Sequence, residues 1–288
     1  MNKTMSLLQH IRIHPLLWIV MGVAVLTAHF MELCLLLIIV FVHEMGHAAA
    51  ASFYSWRIKS ISLLPFGGVV EMDEHGNRPL KQEAVVILAG PFQHVWMVAV
   101  ATILFQFAMI PEHLFYLFLQ YNGMILFFNL LPIWPLDGGK FVFLLFSRIK
   151  PFPDAHRLSL YVSMISLFFM VILTLLGGPT NLNSWIIICF LAFSLYHEWK
   201  QRRYVFMRFL IERYYGKKGD LQQLKPLIVA ETDLLANVLE KFHRGCKHPI
   251  VVEKAGHEKR VLDENEVLHA FFAEKRVSDK IADLLYSY

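Results

Sequence analysis

Charge is scarce in this sequence. Asp, Glu, Lys and Arg together make up 17% of the 288 residues, whereas hydrophobic types make up 56%, and the mean hydropathy is +0.48. A soluble globular domain has about a quarter of its residues charged, so this composition favours a membrane protein. The net charge of +4 is small and spread along the chain. It gives no reason to expect a nucleic-acid partner.

Cysteine is almost absent as well. The three cysteines, Cys34, Cys189 and Cys246, lie far apart, and the first two fall in apolar segments. This spacing excludes a disulfide framework and a zinc site built on a Cys-x-x-Cys pair. We expect small buried or free thiols.

Long apolar runs are what the sequence does have. Each of six segments approaches the roughly 20 residues that a bilayer core requires. They cover residues 15–30, 33–53, 84–109, 114–136, 158–176 and 183–199. The first run is not followed by the small-residue cleavage site of a signal peptide, so we expect it to be retained as a span.

Lys and Arg are missing from every second loop. The loops around residues 29–32, 111–113 and 178–183 contain neither, whereas the N-terminal tail and the other loops contain several. Because positively charged loops prefer the cytoplasm, this alternation predicts a polytopic α-helical membrane protein with six transmembrane helices and both termini in the cytoplasm. A five-span or re-entrant arrangement would break the alternation.

The composition changes after about residue 200, where charged residues become frequent. We predict a membrane domain over 1–205, a linker over 206–222 and a small α/β cytoplasmic domain over 223–288. Short strands are expected at 228–229 and 249–252, and amphipathic helices at 233–243 and 264–272. A unit of about 65 residues is marginally stable alone, so we expect it to pair with a second copy.

A polar pentapeptide, HEMGH, interrupts the second apolar run. On a helix His43 and His47 lie about 40° apart, and Glu44 lies about 60° from His47. This spacing is typical of a helical zinc site, in which the glutamate reaches a water without being a ligand. Polar groups inside a bilayer are costly and usually have a function. A polar pore lining or a histidine pair satisfied by packing is the alternative.

A third ligand is needed, because catalytic zinc takes three protein ligands and keeps one open position. Asp137 is the best candidate, since it follows the fourth run in a segment that Pro132 and Pro135 prevent from being helical. Non-helical backbone at membrane depth is tolerated only inside protein or beside a polar cavity. Alternatively, Asp137 caps a helix that starts near Gly138.

Three motifs resemble those of the site-2 protease family of intramembrane zinc metalloproteases: HEMGH at 43–47, LAGP at 88–91 and NLLPIWPLDGG at 129–139. The resemblance covers nearly the whole chain. It implies that His43, His47 and Asp137 bind zinc and that Glu44 is the catalytic base. It also implies that Asn129 contacts the substrate or the oxyanion and that Pro135 contacts the substrate.

Two positions depart from the family pattern. Trp134 stands where the family often has proline, which affects the local backbone path. His94 stands where the family often has asparagine, and it is either a polar packing residue or a residue that touches the site.

Residues 64–71 contain a glycine pair, Gly67 and Gly68, between alternating residues, which favours a hairpin. The family resemblance implies a membrane-inserted hairpin that aligns an extended substrate, with the two glycines in contact with it. An ordinary surface loop is the alternative.

The C-terminal region resembles one CBS repeat. Such domains commonly bind adenine nucleotides, so the resemblance implies ATP as a second ligand, with Glu266 on the ribose hydroxyls. Asp263 would repel phosphate, and a purely structural or dimerising unit is the reading we favour. Together, the site-2 protease motifs and a C-terminal CBS-like unit resemble the subgroup that acts in bacterial sporulation. For that subgroup the resemblance implies a pro-sigma factor as substrate, inhibitory membrane-protein partners, and the membrane surrounding the forespore.

Two further functions fit the same histidines. A metal transporter would use them as a transient site, and an inactive membrane scaffold would only bind partners. One fixed glutamate beside the histidines favours the protease, and a scaffold needs no complete ligand set.

Overall fold

The computed structural model describes residues 11–13, 15–64, 67–72, 78–216, 223–253 and 259–285. The described chain is mostly helical and divides into two compact units. The first unit holds the described residues up to 72, together with 82–132 and 136–141, and the second holds 78–81, 133–135 and 142–285. The last two long helices belong to the second unit, and the predicted domain boundary at residue 205 stays a prediction.

Helices dominate the first unit. They are α1 (Pro15–Leu26), α2 (Phe30–Phe53), α3 (Leu80–Gln106), α4 (Glu112–Asn129) and the first turn of α5 (Asp137–Ser147). Ile39 of α2, Met97 of α3 and Ile125 of α4 form one buried cluster. Helices α2, α3 and α4 thus share a core, and this core fixes the relative positions of the polar residues on the same faces.

A small sheet lies beside α2. Strand β1 (Ile11–Ile13) runs parallel to β2 (Ile58–Leu64), and β2 pairs antiparallel with β3 (Gly67–Met72). The predicted hairpin is confirmed by this pairing, although its residues 65–66 lie outside the described residues. Within the described sheet β3 is an edge strand, and it contacts α2.

The second unit begins with two long helices, α6 (Phe152–Gly177) and α7 (Leu182–Tyr215), which pack against each other. His156 on α6 and Glu198 on α7 are joined by a contact of 3.0 Å between Nε2 and Oε1. The side chain of Asn181 caps α7 by accepting from the backbone N–H groups of Asn183 and Ser184.

Short strands and helices complete the second unit. They are β4 (Gln223–Leu224), β5 (Leu227–Ala230), α8 (Leu235–Glu240), β6 (Cys246–Lys247), β7 (Ile250–Glu253), β8 (Lys259–Leu262), α9 (Glu264–Phe272) and α10 (Ile281–Leu285). The main sheet has the order β5-β7-β8, with β5 parallel and β8 antiparallel to β7. Phe209 and Leu210 of α7 are fully buried in the same core as Val238 and Ile250.

Each of the six predicted spans overlaps a helix, and the largest differences in bounds are at the ends of the fourth and the sixth. The fourth helix stops at Asn129 rather than at 136, because Pro132 and Pro135 prevent helical hydrogen bonding beyond it. The sixth continues to Tyr215, so the predicted linker starts inside α7. Among the described residues, three helices are long and apolar enough to cross a bilayer: Phe30–Phe53, Leu80–Gln106 and Phe152–Gly177.

Candidate metal centre

Three buried side chains converge in the first unit. His43 Nε2 lies 3.0 Å and His47 Nε2 lies 2.9 Å from Asp137 Oδ2, and the two Nε2 atoms are 3.1 Å apart. The two histidines are one helical turn apart on α2, so both rings project from one face. Asp137 reaches them as the first residue of α5. The residues that the sequence predicted as ligands are therefore in one place.

The hydrogen bond made by Nδ1 of His47 determines the tautomer of its neutral ring. Nδ1 lies 2.8 Å from the carbonyl oxygen of Val86. A carbonyl only accepts, so Nδ1–H donates, and in the neutral ring Nε2 keeps a lone pair. That lone pair faces the carboxylate of Asp137 at 2.9 Å, and either a proton or a metal ion between the two acceptors satisfies both.

Zinc fits this donor set. Tetrahedral zinc with donors at about 2.0–2.2 Å sets its ligand atoms roughly 3.3 Å apart, close to the spacing of the three atoms here. The three donor atoms lie within 4.8 Å of one another, and all three residues are buried. Two histidines and one carboxylate leave one position of a tetrahedral site for water or substrate.

Glu44 lies beside this group and under the hairpin. Its side chain is only 7% exposed. A Cβ added at Gly68 would overlap the Cγ and Cδ atoms of Glu44 and lie 2.8 Å from its Oε1. The backbone of β3 therefore rests directly on the Glu44 carboxylate, and glycine at this position allows the close approach.

Gly90 in the LAGP segment makes a similar approach from α3. A Cβ added there would lie 2.8 Å from His43 Nε2 and would overlap the ring of His47. The glycine lets the backbone of α3 press against both rings. It explains why this motif accompanies the histidine motif.

Gly138 sets the position of Asp137. A Cβ on this residue would overlap the carbonyl oxygens of Leu130 and Leu131. The loop that follows α4 therefore folds back over the first turn of α5. Helix α5 begins at Asp137 itself, so the alternative in which Asp137 caps a helix starting near Gly138 stays a prediction. However, the contacts described for its carboxylate are with His43, His47 and Lys140.

Lys140 is a site residue that the sequence reasoning missed. Its Nζ donates to Asp137 Oδ1 at 3.1 Å, so Oδ2 is left to the histidines. The signal was present, because residues three apart on a helix are neighbours and a lysine follows Asp137 at that spacing. His94 does touch the site, through a hydrogen bond to His43.

Other predicted site residues are placed less directly. Asn129 is the last residue of α4 and is half-buried. Pro135 is exposed and follows a cis peptide bond from Trp134, whose backbone N–H donates to Ser163 Oγ. Gly67 begins β3, and Glu266 is exposed in the first turn of α9. The roles of Asn129, Pro135, Gly67 and Glu266 stay predictions.

A second histidine pair, in the C-terminal part, has no comparable function. His248 accepts the backbone N–H of His243 at Nε2 and lies 2.8 Å from the carbonyl oxygen of Lys225 through Nδ1, so both its nitrogens are occupied. Burial, with the positive charge of Lys225, lowers the pKa of His243 to about 4. Both rings are neutral packing residues near neutral pH.

The fold and the site together define a membrane metalloprotease of the site-2 type. The chain belongs to peptidase family M50, whose sequence profile matches residues 31–111 and 106–173. The family predicted from the three motifs is confirmed, and the chain is a zinc metalloprotease.

Three individual relatives support this assignment. The chain is 51% identical, over 288 residues and the full length of both proteins, to stage IV sporulation protein FB of Bacillus subtilis (strain 168). It is 33% identical over 142 residues to a zinc metalloprotease of Methanocaldococcus jannaschii. The aligned residues make up 47% of this chain and 41% of that protein. The solved site-2 protease from Methanocaldococcus jannaschii superposes with a TM-score of 0.53 and 26% identity, over 65% of this chain and 89% of that one.

Proposed function

We propose that this protein cleaves a membrane-associated protein near the cytoplasmic face, with zinc held by His43, His47 and Asp137. The observation that carries the proposal is the convergence of three buried donor atoms beside Glu44, two of them on α2, a helix apolar enough to cross a bilayer. A bilayer tolerates such a group only when it has partners, and a metal ion satisfies all three donors at once.

Bound zinc supplies the Lewis acidity that makes water a nucleophile at neutral pH. Glu44 lies about 60° from His47 around α2, so its carboxylate is held next to the donors. It accepts the proton of the attacking water, holds it, and delivers it to the leaving amine. Lys140 holds the second oxygen of Asp137 and balances part of the negative charge of the two carboxylates.

The substrate must be extended at the cut, because a helical peptide keeps its carbonyls in internal hydrogen bonds. Strand β3 is the edge strand of the described sheet, and Gly68 places it against Glu44. We propose that the substrate adds to this edge as a strand, which satisfies its freed backbone groups. Gly67 and Gly68 leave room for it, Pro135 lines its path, and the amide of Asn129 donates to the oxyanion.

The role in sporulation rests on similarity. A relative named for stage IV of sporulation is 51% identical over the full chain. We propose a pro-sigma factor as the substrate, the membrane surrounding the forespore as the location, and inhibitory membrane proteins as partners.

Six spans with both termini in the cytoplasm complete the proposed membrane arrangement. Helices α1, α4 and α7 join the three long apolar helices in this arrangement. Its orientation rests on the alternation of loops with and without Lys and Arg.

The C-terminal part is proposed to be a CBS-like unit that pairs with a second copy. From β5 to α9, with the two-residue strand β6 set aside, the order is strand-helix-strand-strand-helix, which supports this reading. ATP remains a proposed ligand, with Glu266 on the ribose. Calorimetry of the whole protein with ATP tests it, and no heat at millimolar nucleotide would remove the proposal.

The decisive experiment is co-expression with a membrane-tethered candidate substrate, comparing the wild type with Glu44→Gln and Asp137→Ala. Glu44→Gln removes the proton acceptor but none of the donors. We expect it to keep zinc and lower the cleavage rate by about 10²–10⁴-fold. Asp137→Ala should lose both zinc and cleavage.

Cleavage near the wild-type rate by Glu44→Gln would contradict the mechanism. A metal transporter makes the opposite prediction, because Glu44→Gln in proteoliposomes would still carry metal across the bilayer. An inactive scaffold predicts that neither variant changes anything.

A further inference from the structure

A buried pair of polar side chains stands behind His43. His94 on α3 is 0% exposed and Asn122 on α4 is 2% exposed. His94 Nε2 lies 3.0 Å from His43 Nδ1, and His94 Nδ1 lies 2.8 Å from Asn122 Oδ1. The amide nitrogen of Asn122 donates to the backbone carbonyl of His94 at 3.2 Å. The three residues thus form one line from α4 through α3 to the candidate metal centre on α2.

The positions of the hydrogens in this chain of hydrogen bonds can be assigned starting from Asn122. The carbonyl of His94 can only accept, so the Asn122 amide must point its NH₂ group there and its oxygen toward His94 Nδ1. Nδ1 of His94 therefore carries a hydrogen and donates it. In the neutral ring, Nε2 of His94 then holds a lone pair and accepts from His43 Nδ1–H.

This assignment determines the state of His43 Nε2, the atom that faces the other two donors. With its hydrogen on Nδ1, the neutral ring of His43 keeps a lone pair on Nε2, which faces Asp137 and His47. The opposite tautomer would place an N–H in the middle of the donor group. We propose that Asn122 and His94 are positioning residues that fix this tautomer and the ring orientation of His43. The inference rests on the zinc site of the proposed function.

The two histidine ligands are held by different means. His47 bonds to the backbone carbonyl of Val86, which no substitution removes, whereas His43 bonds to a side chain. Partners that orient metal-binding histidines in this way contribute about 10–100-fold to metal affinity or activity. The side-chain partner makes that contribution measurable at His43.

The test measures zinc affinity of the full-length protein in detergent, by competition with a chelator. His94→Leu fills much of the space but cannot accept a hydrogen bond, and we expect zinc to bind about 10–100-fold more weakly. His94→Gln places an amide oxygen near the position of Nε2, so it should recover most of that loss. Asn122→Leu lets both tautomers of His94 form, and its loss should be a few-fold.

Ile125→Val is the matched control, because it loosens the same core one turn along α4 without removing a polar group. It should leave zinc affinity within about twofold of the wild type. Unchanged affinity in His94→Leu, or equal losses in His94→Leu and His94→Gln, would overturn the inference, since the role would then be packing alone. A wild-type protein without zinc would overturn the proposed function and this inference together.

Discussion

Glycines determine how closely the backbone approaches Glu44 and the candidate metal centre. At Gly68 and Gly90 a single added carbon would overlap Glu44 or the rings of His43 and His47. The site is therefore enclosed by main chain on two sides. Main chain cannot change rotamer, so it holds the side chains at fixed positions and leaves them little freedom to reorient.

Gly68→Ala should separate zinc binding from cleavage. The new methyl group displaces the Glu44 side chain, and a misplacement of about 1 Å can reduce a rate by about 10²-fold. We expect zinc content to stay at the wild-type level while cleavage of a tethered substrate falls by about that factor. Gly123→Ala is the control, because a Cβ there meets nothing within 4 Å. Wild-type cleavage by Gly68→Ala would show that β3 does not rest on Glu44 in the working enzyme.

At the same scale, sequence reasoning found the residues that carry their own pattern. His43, Glu44 and His47 share a helical spacing, and Asp137 stands beside proline breaks, so all four could be predicted. Lys140, His94 and Asn122 could not be given roles with the same force. Their contacts depend on how α2, α3, α4 and α5 pack. A lone polar residue on an apolar helix is part of no periodic pattern, so the sequence does not indicate its partner.

At the scale of elements, α7 differs most from its prediction. It runs for 34 residues, and its last turns enter the core of the C-terminal part. Arg213 ties it there, with its guanidinium on both oxygens of Glu264 and on the carbonyls of His243 and Cys246. Falling hydropathy after residue 200 marked the end of a span, but hydropathy alone does not mark the end of a helix.

Arg213→Leu should destabilise the C-terminal part by about 3–5 kcal/mol, because it leaves the buried carboxylate of Glu264 without its charged partner. Hydrogen exchange of the full-length protein, read over 223–253 and 259–285, measures the loss. The double variant Arg213→Leu with Glu264→Leu should recover part of it, since no buried charge remains. A double variant as unstable as Arg213→Leu would mean that the backbone contacts of Arg213, rather than the ion pair, stabilise this region.

At the scale of the whole molecule, a row of apolar side chains is exposed on the described C-terminal sheet. Ile228, Val251 and Val261 are direct neighbours across β5, β7 and β8 on the outer side of the sheet. Ile228 is 63% and Val261 is 64% exposed. A row of this kind supports the proposed pairing with a second copy, because a monomer gains nothing from exposing it.

Ile228→Glu should abolish that pairing. The wild type in detergent is expected to have the mass of a dimer by light scattering at micromolar concentration, and the variant that of a monomer, because a buried unpaired charge at the interface is strongly unfavourable. Leu224→Glu is the control, since this residue is 68% exposed but lies on β4, outside the row. A monomeric wild type, or a dimeric Ile228→Glu, would contradict the proposed interface.

The continuity of α7 has a mechanical consequence. A helix of this length is a rod of about 50 Å at roughly 1.5 Å per residue, and helices bend only gently without a proline, a glycine or an inserted group. One end is packed against α6 and the other is fastened by Arg213. Because α7 is continuous between these two contacts, a twist or tilt of the C-terminal part is expected to move α6 with it. A ligand or partner that tilted the C-terminal part would therefore also move α6, which belongs to the same unit.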